Sequence, residues 1–211
     1  MKFENLKVLN HPLILHKISF LRDKRTGRKE FKELVDEITM LMTYELTRDL
    51  PVKTVEVETP LEVAECKQID DVQIVLVPIL RAGMGMVDGI LRIIPFAMIG
   101  HIGLFRDHKT LQPVSYYFKI PPLKEKHLFI ILDPMLATGG SAIAAADILK
   151  KNGVKNIKFL NLIAAPEGVE KFNEKHSDIE IYTCALDRQL NEKGHILPGL
   201  GDAGDRLFGT E

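Results

Sequence analysis

Apolar residues follow two different rhythms along the chain. Phe31, Leu34, Val35, Ile38, Leu41 and Met42 recur at three- and four-residue spacing, which predicts an amphipathic helix closed by Pro51. Residues 54–58 alternate polar and apolar, the pattern of a half-buried strand. From residue 72 the character changes. Residues 72–77, 128–132 and 157–163 are short, nearly unbroken apolar runs, as expected of strands buried on both faces of a parallel sheet. Helical stretches separate them, at residues 84–94, 141–152 and 168–176, and residues 179–184 read as a late strand. This alternation predicts an α/β fold, an open and mostly parallel sheet flanked by helices. Such sheets bind ligands at the carboxyl ends of their strands, so the turns after the apolar runs are where chemistry is expected. Residues 1–29 mix charges with short apolar pairs and read as an arm wrapped on the body. Residues 190–211 are rich in Gly with little periodicity, and read as either a frayed end or a functional loop system.

Composition narrows the picture. The 211 residues fit one domain, and the 45% of hydrophobic residues suffice for a sizeable core. A net charge of -1 supplies no overall pull toward nucleic acid or an anionic membrane, so any phosphate must be held by local geometry. No apolar run reaches the ~18 residues of a membrane span, and the first residues lack the apolar core of a signal peptide. Cys66 and Cys184 stand far apart in no ligand-like pattern, which suits reduced thiols in the cytoplasm. The seven histidines show no metal-ligand spacing.

The strongest local signal is Asp133-Pro134-Met135-Leu136-Ala137-Thr138-Gly139-Gly140-Ser141, after the apolar run at 128–132. A buried strand ends in a carboxylate, a turn of small residues follows, and an Ala-rich helix begins. Gly139 and Gly140 allow close backbone approach, Thr138 and Ser141 add hydroxyls, and the amides of residues 137–141 can converge at the positive end of the helix dipole. The result is a phosphate cradle without lysine, with Asp133 at its rim to accept bonds from sugar hydroxyls. Taken alone, Thr-Gly-Gly-Ser reads equally well as a tight turn and helix cap. It is neither a Walker loop nor a dinucleotide fingerprint.

The segment 133–141 resembles the phosphoribosyl-pyrophosphate (PRPP) motif of uracil phosphoribosyltransferases, in which a single acid followed by Pro replaces the acid pair of the wider type I class. Further segments agree. Val77-Pro78-Ile79-Leu80-Arg81-Ala82-Gly83 resembles the family's pyrophosphate loop, and Gly100-His101-Ile102-Gly103-Leu104-Phe105-Arg106-Asp107 the strand that delivers a second arginine. Leu197-Pro198-Gly199-Leu200-Gly201-Asp202-Ala203-Gly204-Asp205-Arg206 resembles the uracil-binding loop. The resemblance spans about residues 11–208.

It implies the type I phosphoribosyltransferase fold as one domain, with an arm (1–29), a core (30–189) and a uracil-binding hood (190–211). It implies conversion of uracil and PRPP to UMP and diphosphate. Arg81 would grip the pyrophosphate, with a cis peptide beside it. Arg106 would do the same under a lid at residues 107–113. Asp133 and residues 134–141 would hold the ribose and 5′-phosphate. Ile196 and the segment Gly201-Asp202-Ala203 would bind uracil, with Ile196, Gly201 and Ala203 making the contacts through the main chain. Asp202 would touch PRPP through Mg²⁺, the implied cofactor; either Asp202 or the leaving pyrophosphate takes the N1 proton of uracil. Asp88 is read as structural, residues 162–168 as strand-end packing, and Asp205 and Arg206 as a pair that fixes the base loop. The resemblance further implies a homodimer or higher homo-oligomer, GTP as an effector of some members, and no nucleic-acid or membrane partner. Two rivals stay open on the residues: a purine- or orotate-specific relative, and an RNA-binding regulator on the same fold.

Overall fold

The computed structural model describes residues 3–106, 113–123 and 126–210, with only the backbone of Arg106 and Pro113. In chain order the elements are β1 (Leu6–Val8), α1 (Pro12–Arg22), α2 (Arg28–Leu46), β2 (Val52–Glu58), β3 (Val63–Ile69) and β4 (Gln73–Leu80). A 3₁₀ turn (Ala82–Met86) leads into α3 (Val87–Leu91), followed by β5 (Met98–Ile99), β6 (His101–Arg106) and β7 (Pro113–Lys119). Then come β8 (His127–Leu132), β9 (Met135–Leu136), α4 (Gly140–Lys151), β10 (Ile157–Ala164), α5 (Pro166–His176) and β11 (Glu180–Leu186). Finally β12 (Gln189–Leu190), β13 (Ile196–Leu197) and α6 (Ala203–Phe208) complete the described chain.

The main sheet has the order β1-β11-β10-β8-β4-β6-β7, with β5 beside β4 and β9 beside β10. Neighbours are parallel throughout, except that β7 returns antiparallel to β6. The innermost strands carry no exposed residue: β8 and β10 are buried along their whole length. Successive side chains of a strand point to opposite faces, so the continuous apolar runs fill two layers at once. Ile74, Leu76, Ile130 and Leu132 pack with Ile14, Ile38, Met42 and Ile90 from α1, α2 and α3. Val75, Val77, Phe129 and Ile131 pack on the other side with Ala142, Ala145, Leu149, Val169 and Phe172 from α4 and α5. The predicted α/β sheet with helices on both faces is the one observed.

Four details differ from the sequence pattern. The alternating stretch at residues 54–58 lies in β2, which pairs only with β3 as a separate antiparallel ribbon. The alternation itself is as read, with Val55 and Val57 partly buried and Thr54, Glu56 and Glu58 exposed; the strand's place outside the main sheet is what the pattern did not show. The helix expected at residues 84–94 is a 3₁₀ turn and a five-residue α3, since Gly83, Gly85 and Gly89 each disfavour a continuous α-helix. Helix α2 ends at Leu46, five residues before Pro51. The Gly-rich tail is ordered into β12, β13 and α6, and the arm adds β1 to one edge of the sheet.

Candidate active site

Three chain segments meet at the carboxyl ends of β4 and β8. The first follows β4. The Leu80–Arg81 peptide is cis, as the resemblance implied, and the 3₁₀ turn begins at once. A Cβ on Gly83 would lie 2.3 Å from the carbonyl O of Leu132, so this turn packs directly on the end of β8, one residue before Asp133. The Arg81 side chain is exposed. Its Nη2 lies 3.8 Å from Asp205 Oδ1, and its guanidinium sits 6.0 Å from the Phe208 ring.

The second segment follows β8. Asp133 N–H still donates to Leu160 O (3.3 Å), and Pro134 O accepts from Leu162 N–H (2.9 Å), so β10 holds the elbow. β9 continues the same pairing, and Leu136 O accepts from Ala165 N–H. Gly139 then caps α4 at φ 78°, a left-handed conformation that only glycine adopts readily, and no side chain caps the helix. The first bond of α4 runs from Ile143 N–H to Gly139 O (2.9 Å), so the amides of residues 140–142 have no acceptor within the helix. The loop is pressed in place from behind: a Cβ on Gly168, at the start of α5, would strike Ala137 O at 2.2 Å. That close approach fits the strand-end packing read for residues 162–168.

The third segment is the tail. β13 pairs antiparallel with β12, the Leu197–Pro198 peptide is cis, and Gly199 and Gly201 have φ of 69° and 82°. Asp202 caps α6, its Oδ1 accepting from Asp205 N–H at 3.0 Å. α6 packs beside the pyrophosphate turn, where a Cβ on Gly204 would lie 3.7 Å from the Ala82 Cβ.

Between the second and third segments lies a cavity of about 280 Å³, lined by Met135, Ala137, Gly194, His195, Ile196, Gly201 and Asp202. It stands at the small end of the ~300–1,000 Å³ range of ligand pockets. Phosphate-loop and tail residues are thus brought to one place. Asp133 is half-buried beside it. Burial pushes its carboxyl up to about 7; the Met135 N–H bond opposes that shift and the negative charge of Asp202 adds to it. Ala203, next in sequence to Asp202, is fully buried and does not line the cavity.

A full-chain comparison agrees with this geometry. A family model described as uracil phosphoribosyltransferase matches residues 8–210. The chain belongs to the uracil phosphoribosyltransferase family. It is 60% identical over 204 residues to the uracil phosphoribosyltransferase of Lysinibacillus sphaericus, covering 97% of this chain and 98% of the relative. It is 61% identical to that of Geobacillus kaustophilus over the same shares. Among solved structures, the AQ2163 protein from Aquifex aeolicus superposes with a TM-score of 0.89 at 39% identity, over 98% of this chain and 99% of that one. A hypoxanthine phosphoribosyltransferase from Staphylococcus aureus shares the fold alone (TM-score 0.52, 15% identity, 84% and 82% covered).

Within that family frame, some expected features stand elsewhere. The lid falls outside the described residues, as do the side chains of Arg106 and Pro113, although β6 and β7 pair Arg106 with Pro113 as the two sides of a hairpin. Asp88 is exposed and sits 3.6 Å from Lys32, away from the cavity. Asp205 and Arg206 do not pair with each other. Arg206 instead donates through Nη1 to the carbonyls of Leu21 and Leu200 (both 2.7 Å) and through Nη2 to that of Asp23 (2.8 Å), and it lies over the Phe31 ring at 4.2 Å. Gly194 and His195 line the cavity without having stood out in the sequence; their one signal was adjacency to Ile196.

Proposed function

We propose that this protein transfers the 5-phosphoribosyl group of PRPP to N1 of uracil, giving UMP and diphosphate, a pentosyl transfer that salvages uracil. One observation carries the reading: the phosphate loop (Met135, Ala137) and the tail (Ile196, Gly201, Asp202) wall the same cavity. Residues 134–141 cradle the 5′-phosphate, and Asp133 accepts bonds from the ribose hydroxyls. Arg81 and Arg106 neutralise the departing diphosphate as the sugar gains oxocarbenium character. The main chain of Ile196, Gly201 and Ala203 matches the acceptor-donor-acceptor edge of uracil. Cytosine presents an amino donor at the O4 position, so a fixed backbone N–H is left unpaired and the analogue is rejected.

Mg²⁺ is part of this reading. The carboxylates of Asp133 and Asp202 are close enough for one to raise the pKa of the other. All-oxygen donors of this kind suit a hard cation that keeps most of its waters and rides on substrate phosphates. Among the described residues no cluster of three or more His, Cys, Asp or Glu side chains could hold a metal ion; the proposed Mg²⁺ is one carried by PRPP. Asp202 would hold it, and the ion would supply charge neutralisation at the diphosphate. We also read the protein as a cytoplasmic homodimer or higher oligomer, working as one domain with its arm and hood. Both cysteines are free, and Phe96, Tyr116 and Phe105 are exposed apolar side chains that a partner copy could cover. GTP is the expected effector.

The test is a turnover assay with PRPP and uracil, cytosine, orotate or hypoxanthine, with and without Mg²⁺ and GTP. UMP formation confined to uracil and dependent on Mg²⁺ is expected. Turnover of a purine or orotate in its place refutes the assignment.

A further inference from the structure

The tail that walls the cavity has little core of its own, and a closed ring of hydrogen bonds fixes it. Asp187 follows β11, and its N–H donates to Ala164 O at 2.8 Å, tying it to the end of β10. Its carboxylate is buried. Oδ1 accepts from Arg22 Nη2 at 2.5 Å, and Oδ2 from Arg22 Nη1 at 2.8 Å. The same Oδ2 accepts from Gly199 N–H at 2.9 Å, and Arg22 Nη1 also donates to Gly199 O at 2.7 Å. Both backbone groups of Gly199 are therefore held, one by each member of a forked ion pair whose partners lie 165 residues apart in sequence.

The position of Gly199 decides what this does. No side chain fits there, because a Cβ would lie 2.2 Å from Ile196 O, so the turn folds closely back on Ile196. It lies three residues after Ile196 and two before Gly201, which both line the cavity. A base read by main-chain groups is read only as well as that main chain is placed. A displacement of ~1 Å takes a 2.9 Å bond outside the hydrogen-bonding range and is enough to lower catalysis ~100-fold.

We propose that Arg22 and Asp187 are positioning residues for the nucleobase. They touch no substrate, and they set uracil affinity and uracil-over-cytosine selectivity by fixing Gly199 and with it the Ile196–Gly201 stretch. The proposal rests on the uracil phosphoribosyltransferase reading above. A buried ion pair could instead serve only the fold, and the two roles separate experimentally. A pair that serves only the fold would change the melting point and leave the ratio of the uracil and PRPP KM values alone, whereas a positioning pair shifts the uracil KM selectively in protein that is still folded. Removing both partners together also avoids stranding a single buried charge.

The experiment is steady-state kinetics, varying uracil and PRPP in turn, together with thermal melts, on Arg22→Lys, Asp187→Asn and the double variant Arg22→Met/Asp187→Leu. The double variant is expected to melt below wild type, since it leaves the Gly199 N–H and C=O without partners, and, assayed below its melting range, to show a uracil KM raised about 10- to 100-fold, an unchanged PRPP KM and a narrower uracil-cytosine gap. Arg22→Lys keeps the charge but loses the fork, so it falls in between; it carries the test if the double variant does not accumulate as folded protein. A double variant, or failing that Arg22→Lys, with wild-type uracil KM overturns the proposal and leaves the pair a structural one. Absence of uracil turnover in the wild type would instead overturn the reading beneath it.

Discussion

Asp133→Asn separates what the site does from what it costs the fold. Desolvation raises the Asp133 carboxyl to about 7, against the Met135 N–H bond and with help from Asp202. In an unfolded chain the group titrates near 3.9. Between those values the folded protein holds a proton that the unfolded chain has released. The stability associated with the neutral acid is therefore fully present below about pH 4, declines as the pH rises, and is lost above about pH 7. At ~1.4 kcal/mol per pKa unit, a gap of roughly three units sets a ceiling of about 4 kcal/mol. Asp133 is only half-buried, and water reorganising around the ionised form reduces this to about 2 kcal/mol. For a chain of this size that is a melting shift of about 4–8 °C.

Asparagine has nearly the same shape, can accept the same Met135 N–H bond and carries no charge. The substrate-free Asp133→Asn protein is therefore expected to melt about 4–8 °C above wild type at pH 8. The advantage should shrink to roughly a third by pH 5, where the acid is neutral in the folded wild type and only about one pH unit separates the solution from its unfolded-state titration. Differential scanning fluorimetry at pH 5, 6, 7 and 8 measures it. The same variant should lose PRPP affinity, since the ribose hydroxyls lose a charged acceptor. A melting difference that stays constant across this range means that Asp133 is ionised in the folded protein and that the desolvation argument is wrong.

Two further substitutions probe the frame of the site. Gly168→Ala places a methyl 2.2 Å from Ala137 O and 2.8 Å from Leu136 O, both backbone atoms that can yield only if the phosphate loop moves. Its PRPP KM should rise about tenfold or more with a stability loss of about 1–3 kcal/mol, and wild-type kinetics would show that the loop tolerates the shift. Lys158→Ala acts at the other end of β10, where the buried ammonium donates to Leu46 O (2.9 Å) and Asp49 Oδ1 (2.5 Å). Because Asp49 is mostly exposed, the loss should be near 2 kcal/mol in a urea melt, with both KM values unchanged; a changed KM would mean that the two ends of the sheet are coupled.

How legible the chain was follows from where each feature takes its partners. The strands at residues 72–77, 128–132 and 157–163 were plain, because a two-faced core demands an unbroken apolar run and nothing distant can change that. The strand-turn-helix at residues 133–141 was plain for the same local reason: an acid, small residues and a helix start are contiguous. Residues 190–211 were not. β13 has two residues and α6 has six, too short for any period to show. Their order comes from groups far away in sequence, Arg206 reaching back to Leu21 and Asp23 and Asp187 to Arg22. Alternation at residues 54–58 marked a strand with one partly buried face, Val55 and Val57, but not that this strand pairs in a separate ribbon, because pairing partners are not written in the period.

The contrast has a chemical root. Phosphate carries charge that a loop can meet with a recognisable set of small residues and amides, so that half of the site is written where it acts. Uracil is neutral, and a main-chain reader meets it with N–H and C=O groups that every residue possesses. Side-chain identity at Ile196, Gly201 and Ala203 then says little, while the residues that decide the fit are those that hold this backbone still. Under the proposed reading, those in this chain would be arginines of the first helix and the last, together with a buried aspartate after β11, each of which bonds to main-chain groups of the tail or of the turn beneath it. On that reading, specificity for a neutral base would be encoded at a distance from the base, in polar side chains that no local sequence pattern marks.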